Sequence, residues 1–182
     1  MADIQEQVSK TILTKAYKQI HDNPISNIGC TIGLRDDDIY TWKFSLMGPK
    51  DSPYKDGFFK LLIKFPKTFP MQGPEVIFET PIYHLNVNPV KSDESLGHCC
   101  ISTANFWTPD SSIQDLLVSI FALFLAANPD SAYGIDRKIE FEKNRDIYDM
   151  KAEHFTKIYA IPNVSYKNMN NWDFTFNPNE NK

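Results

Sequence analysis

Cysteine is scarce in this 182-residue chain: there are three, with Cys30 far from the vicinal pair Cys99 and Cys100. That is a poor disulfide framework, and neither Cys-x-x-Cys nor a His/Cys spacing typical of zinc is present. An odd count, with no secretory hydrophobic region in MADIQEQVSK, gives the expectation of a reducing compartment: cytoplasm, nucleus or both. Long apolar runs are missing too. The longest, Leu116 to Ala127, is broken by Ser119, falls short of the ~20 residues a membrane span needs, and reads as a buried helix. Excess positive charge is also lacking. A net charge of -4 and a pI near 5.5 argue against broad binding to nucleic acid or acidic membranes. There is no internal repeat. What remains is a globular composition, 42% hydrophobic and 13% aromatic, in a chain long enough for one real core and expected to be monomeric.

The first segment, residues 3 to 21, reads as a helix. Ile4, Val8, Ile12, Ala16 and Ile20 recur every four residues, and Leu13 and Tyr17 widen the stripe. Lys10, Lys15 and Lys18 lie mostly off it. Asp22-Asn23-Pro24 ends the helix, because the residue before proline avoids helical geometry. Ile28 to Leu34 is moderately β-prone, and Asp36-Asp37-Asp38 reads as a polar turn between antiparallel neighbours. Tyr40, Trp42, Phe44 and Leu46 then alternate with Thr41, Lys43, Ser45 and Met47, as a half-buried strand requires. A turn-rich loop from Gly48 to Gly57 precedes a third strand with Phe59, Leu61, Ile63 and Phe65 inward. After the proline-punctuated Pro66 to Pro74, Val76 to Phe78 makes a brief fourth strand. Ser111 and Gln114 carry a capping-box pattern ahead of a helix striped by Ile113, Leu116, Leu117, Ile120, Phe121 and Phe124. Asn128-Pro129-Asp130 stops it, and Ile135 to Ala160 is again helix-forming text.

The chemistry concentrates in Tyr83 to Pro109, YHLNVNPVKSDESLGHCCISTANFWTP. A cysteine just past a polar, glycine-containing loop can be exposed enough to react as its thiolate, and Asn86 offers a side-chain amide that could donate to an oxyanion. On local composition alone the preferred reading is two small buried thiols, since free cysteine is usually buried and inert.

Resemblance reverses that preference. Tyr83-His84-Leu85-Asn86, Gly97-His98-Cys99-Cys100-Ile101 and Trp107-Thr108-Pro109 resemble the active-site segment of the ubiquitin-conjugating enzymes, Tyr-His-Pro-Asn, Gly-x-x-Cys-Leu and Trp-x-Pro. GPKDSPYKDGFFKLLIKFPKTFPMQGPEVIFET is similar to a second stretch of the same family, with Phe69 for a tyrosine and Gly73 for a proline. The likeness runs over about residues 5 to 160. It implies an α+β, UBC-like fold: an N-terminal helix, a four-stranded antiparallel sheet, a central helix and C-terminal helices. The domain reading is a core at 1–160 and an asparagine-rich extension at 161–182, where seven asparagines fall between Asn163 and Asn181. Trp172, Phe174 and Phe176 there either tether the tail to the core or form a partner-binding peptide.

The resemblance implies a ubiquitin-conjugating enzyme. Ubiquitin, or a ubiquitin-like protein, would pass from an activating enzyme to Cys100 as a thioester, then to a ligase cysteine or a lysine, with no cofactor of its own. The Gly-x-x-Cys spacing selects Cys100. Counting back from Trp107 selects Cys99 in some members, but would put His98 at a normally buried aliphatic position. Asn86 would stabilise the oxyanion or its loop, and His84 would be structural. Partner-facing residues implied are Lys10 on the first helix, Met71, Pro109 and Asp110, and more weakly Thr31. Leu85 replaces the family proline, which removes a fixed φ and adds an N–H. The loop after Val87 is longer, with Lys91, Asp93 and Glu94 adding charge. Ser102 and Ser131 stand where lysine-modifying members commonly carry acidic residues, which implies weak lysine discharge. The alternative is a catalytically silent variant that binds ubiquitin or scaffolds a partner. An unrelated cysteine hydrolase lacks a His/Asp partner pattern.

Overall fold

The computed structural model describes residues 2–25, 28–89 and 96–163. The expectations for Lys91, Asp93 and Glu94, and for the aromatic residues of the tail, lie outside the described residues. Helix α1 (Ala2–Asp22) leads into four strands, β1 (Cys30–Arg35), β2 (Asp38–Met47), β3 (Phe58–Lys64) and β4 (Glu75–Phe78). They pair in sequence order as an antiparallel meander. The β1–β2 turn sets Asp36 and Asp37 at φ 52° and 58°. A two-residue hairpin turn requires that left-handed backbone, and aspartate tolerates it better than most residues. Asp36 and Asp37 therefore make the expected turn, and Asp38 opens β2.

Side-chain alternation puts one face of the sheet into the core. Trp42 lies opposite Ile63, Phe44 opposite Leu61 and Leu46 opposite Phe59, and all six are buried. Cross-strand aromatic and branched pairs of this kind are the stabilising unit of a sheet. A four-residue helix, α2 (Ser102–Asn105), precedes the central helix α3 (Ile113–Leu125). A 3-10 turn (Pro129–Ser131) then leads to α4 (Ile135–Lys143) and α5 (Arg145–Tyr159). Ile113, Leu116, Leu117, Ile120 and Phe124 are the buried stripe of α3, and the Phe124 ring meets Phe59 at 5.0 Å and Phe78 at 5.9 Å. On α5, Tyr148, Ala152 and Phe155 join the same core. Among the described residues no helix is long and apolar enough to cross a membrane.

Two local expectations are corrected. The cap of α3 is Ser112, whose side chain accepts from the Gln114 and Asp115 N–H groups, while the Ser111 hydroxyl accepts from the Thr108 N–H. Adjacent serines offer either frame, and the turn at Thr108 takes the first. On α1 the buried face is Ser9, Leu13 and Ile20, with Ala16 and Tyr17 partly covered. The predicted row is not core at its start: Ile4, Val8 and Ile12 are 67%, 44% and 36% exposed. Three neighbouring rows are apolar, and docking chooses among them. Tyr17 packs edge-on to Trp42 at 5.2 Å, and the Tyr40 hydroxyl donates to the Glu6 carbonyl.

That rotation buries Ser9 completely, and its hydroxyl finds no partner among the described residues. A desolvated hydroxyl of this kind costs about 1–3 kcal/mol, and alanine is the better helix former. Ser9→Ala is expected to raise stability by about 1 kcal/mol, measured as a higher urea midpoint at unchanged slope. A lower midpoint would mean that the hydroxyl is hydrogen-bonded after all.

Candidate functional site

The cysteine segment is held as an extended strip between two others. On one side the Phe78 N–H donates to the Gly97 carbonyl and the Cys99 N–H to the Val76 carbonyl. On the other, the Asn88 N–H donates to the His98 carbonyl and the Cys100 N–H to the Asn86 carbonyl, at 2.9 and 2.8 Å. Gly97 enters the strip at φ 77°, a left-handed backbone that glycine adopts without strain. Successive side chains of an extended strip point to opposite faces, so the two thiols separate. Cys99, partly exposed as a residue, packs its side chain against the core, where burial pushes its thiol pKa up. Cys100 faces outward and is partly exposed, with the Asn105 side-chain amide 3.1 Å from its Sγ. Tyr133 is close enough that negative charge on either thiol adds to burial in raising its own pKa.

The segment beneath, Tyr83 to Val87, is buried throughout. The Tyr83 carbonyl accepts from the Tyr54 hydroxyl, and the Leu85 carbonyl from the Tyr133 N–H. The His84 and Val87 carbonyls both accept from the Arg137 guanidinium, which also lies 4.5 Å from the Tyr83 ring centre. The Tyr83 hydroxyl donates to Glu140, itself paired with Lys151. Burial first, and this carboxylate second, raise the Tyr83 pKa. The N–H that leucine adds in place of the family proline is satisfied: Leu85 donates to the Tyr148 hydroxyl at 2.8 Å. Proton counting orders the rest. Tyr54 already donates to Tyr83, so Tyr148 donates to Tyr54 across 3.3 Å.

Asn86 is fully buried, and its amide is completely occupied. Nδ2 donates to the Asn128 and Ser131 carbonyls at 2.7 and 2.9 Å, and Oδ1 accepts from the Asn128 N–H at 2.8 Å. Of the two expected roles, loop stabilisation has its hydrogen bonds in place. For the oxyanion role, neither amide hydrogen is free in this arrangement.

His84 is pinned as a neutral ring. Nδ1 accepts from the Asn86 N–H, and Nε2 sits 2.9 Å from the Leu123 carbonyl, which can only accept, so the proton is on Nε2. Burial is the main cause of a pKa lowered from the usual 6.5 to about 4, and protonating Nδ1 would break the Asn86 bond. This is a structural histidine.

The helix α2 and the loop after it are seated on Pro66 to Pro74. The Trp107 indole donates to the Pro70 carbonyl at 3.0 Å, and its ring lies 5.4 Å from Phe69. A Cβ on Gly73 would come within 2.6 Å of the Trp107 Cβ and 2.8 Å of the Ala104 carbonyl oxygen, so glycine is what admits the tryptophan.

A family model described as ubiquitin-conjugating enzyme matches residues 12–156. The chain belongs to that family.

The expected partner-facing residues of this ubiquitin-conjugating enzyme family member are at the surface: Lys10, Pro109 and Asp110 are exposed and Met71 is 63% exposed. A cleft lined by Ile12, Pro70 and Pro109 brings α1, the proline-rich segment and the loop after Trp107 together. Lys10, Met71 and Asp110 do not line it. Ser131 lies at the Asn86 tie and Asp130 is exposed. Sequence reasoning missed Asn105, Tyr133, Arg137 and the Tyr54–Tyr148 pair. The α5 stripe marks Tyr148 as core but says nothing of its hydroxyl's partner.

Two measurements check these assignments. Tyr148→Phe should cost about 1–3 kcal/mol by orphaning the Leu85 N–H. In a Leu85→Pro background, which has no such N–H, the cost should shrink by about 1 kcal/mol or more; additive losses would dissociate the two groups. For His84, the unfolded chain takes up a proton near pH 6.5 that the folded form refuses until about pH 4. The stability from its neutral burial is therefore complete above pH 6.5 and lost as pH falls towards 4, on the order of 3 kcal/mol in all. An NMR titration should find the His84 ring still neutral at pH 5; an imidazolium there contradicts the assignment.

Proposed function

We propose that this ubiquitin-conjugating enzyme family member is active, carrying ubiquitin or a ubiquitin-like protein on Cys100. The observation that supports this reading is the opposite orientation of the vicinal thiols: Cys99 turned into the core, Cys100 outward beside a hydrogen-bond donor. The Cys100 thiolate attacks the modifier's C-terminal carbonyl on an activating enzyme, and the activating enzyme's sulfur leaves. The new thioester keeps the acyl group activated, because a thiolate is both a good nucleophile and a good leaving group. A ligase then brings the acceptor, docking over α1, Met71 and the Pro109–Asp110 loop.

The acceptor we favour is a ligase cysteine. A lysine arrives as an ammonium, and a positioned carboxylate helps it lose a proton. Ser102 and Ser131 supply none, and Asp130, the nearest acidic residue in sequence, is turned to solvent.

Incubation with activating enzyme, ATP and ubiquitin, with other modifiers in parallel, should give an adduct that thiol reductant removes. Cys100→Ala should lose it and Cys99→Ala keep it. Discharge of the charged enzyme to free lysine should be at least ~10-fold slower than to free cysteine, since a general base is worth more than that where present. No adduct with any modifier would replace this reading by that of a silent binding variant.

A further inference from the structure

We propose that Asn105 is a catalytic residue, whose side-chain amide donates to the oxyanion formed when Cys100 gains or loses its acyl group. The inference rests on the thioester reading above. It starts from a vacancy of role: the buried Asn86 amide has both hydrogens committed to Asn128 and Ser131, and the Cys100 N–H is committed to the Asn86 carbonyl. The Asn105 amide is the side-chain donor that reaches the reacting sulfur, 3.1 Å away on the solvent side. Among the described residues it makes no other hydrogen bond.

Its backbone is fixed. The Asn105 N–H closes the short helix α2 onto the Ile101 carbonyl at 2.9 Å, and two residues on Trp107 is locked to Pro70 and over Gly73. Cys100 and Asn105 are thus held at the two ends of one tight turn. Counting back from Trp107 selected Cys99, so the Cys100-to-Trp107 connection is one residue shorter than that count assumes. The helical turn Ser102–Asn105 is what folds residue 105 back towards the sulfur.

The chemistry is the same in both directions. In loading, the Cys100 thiolate forms a bond to the carbonyl carbon, the π electrons move to oxygen, and collapse expels the donor thiolate. In discharge, an acceptor sulfur or amine attacks that carbon, oxygen again takes the charge, and the bond to Cys100 Sγ breaks to return a thiolate. An attacking amine gives its extra proton to solvent. The oxygen is two bonds from Sγ, so an amide touching the sulfur needs only a small side-chain rotation to meet it. It can return to the departing thiolate afterwards. A donor aimed where charge develops lowers the barrier more than it binds the ground state.

The test uses the full chain and a probe that needs no activating enzyme: a Gly-Gly thioester of 2-mercaptoethanesulfonate, followed by discharge to hydroxylamine. Asn105→Ala and Asn105→Asp, the latter of similar shape but without N–H donors, should slow both steps about tenfold or more, less than the ~100-fold of a buried oxyanion donor because this one is exposed. Asn105→Gln, which keeps the donors, should recover most of the rate. In Asn105→Ala, alkylation of Cys100 by iodoacetamide builds no oxyanion and should stay near wild type. Acyl-transfer rates unchanged in Asn105→Ala would overturn the proposal, and so would equal slowing of alkylation, which would indicate a general effect on the thiol. Charging by an activating enzyme is scored separately. If the small thioester reacts in an Asn105-dependent way but no modifier is accepted, the proposed function fails and the role of Asn105 stands. If ubiquitin charges normally in both variants, the reverse holds.

Discussion

Between Tyr83 and Val87 the main chain runs through the interior, so its polar groups must find partners away from water. Those partners come from places far apart in sequence: Tyr54 in the loop before β3, Cys100 on the thiol strip, Tyr133 in the turn before α4, Arg137 on α4 and Tyr148 on α5. Apolar packing is non-directional and would tolerate some sliding of this segment. Orphaning one buried N–H or C=O costs about 1–3 kcal/mol, and several would be orphaned together. Directional bonding therefore fixes the geometry, and the thiol strip, hydrogen-bonded alongside it, inherits that precision.

From this constraint follows a division between two asparagines. Asn86 lies under the site and joins the strip's neighbour to the 128–131 turn; its carboxamide is a small cross-brace with every donor and acceptor in use. Asn105 lies over the site, on a turn braced by Trp107, with its amide against the sulfur. The neutral His84 belongs with the first group. Its ring completes the brace through Asn86 and Leu123.

What could be read beforehand was whatever repeats along the chain. The strands of β2 and β3 announced themselves because one face is core and the other is not, and a period of two survives any detail of packing. The proline- and glycine-rich spelling of residues 48 to 74, with the cysteine and tryptophan motifs, identified the family. The α1 stripe misled at its beginning because three adjacent rows are apolar, and only the position of Trp42 and Tyr40 decides which of them turns inward. Ser111 and Ser112 were interchangeable as caps until the Thr108 turn claimed one. Bonds joining residues 42 or 63 positions apart, such as Asn86 to Asn128 or Leu85 to Tyr148, have no local signature. They are visible only once the core is assembled.

The leucine at position 85 carries one further consequence, and it concerns timing. A proline holds its φ within its own covalent ring from the moment the peptide bond is made. Here the restraint is supplied by a hydroxyl on α5, 63 residues downstream. During synthesis, which presents the chain from its N-terminus, the Tyr83–Val87 segment therefore emerges without its brace. It becomes rigid only when the last helix of the core arrives to close the hydrogen-bonded circuit. The geometry beneath the thiol strip is thereby linked to completion of the core, and a nascent chain that still lacks α5 has that segment unbraced.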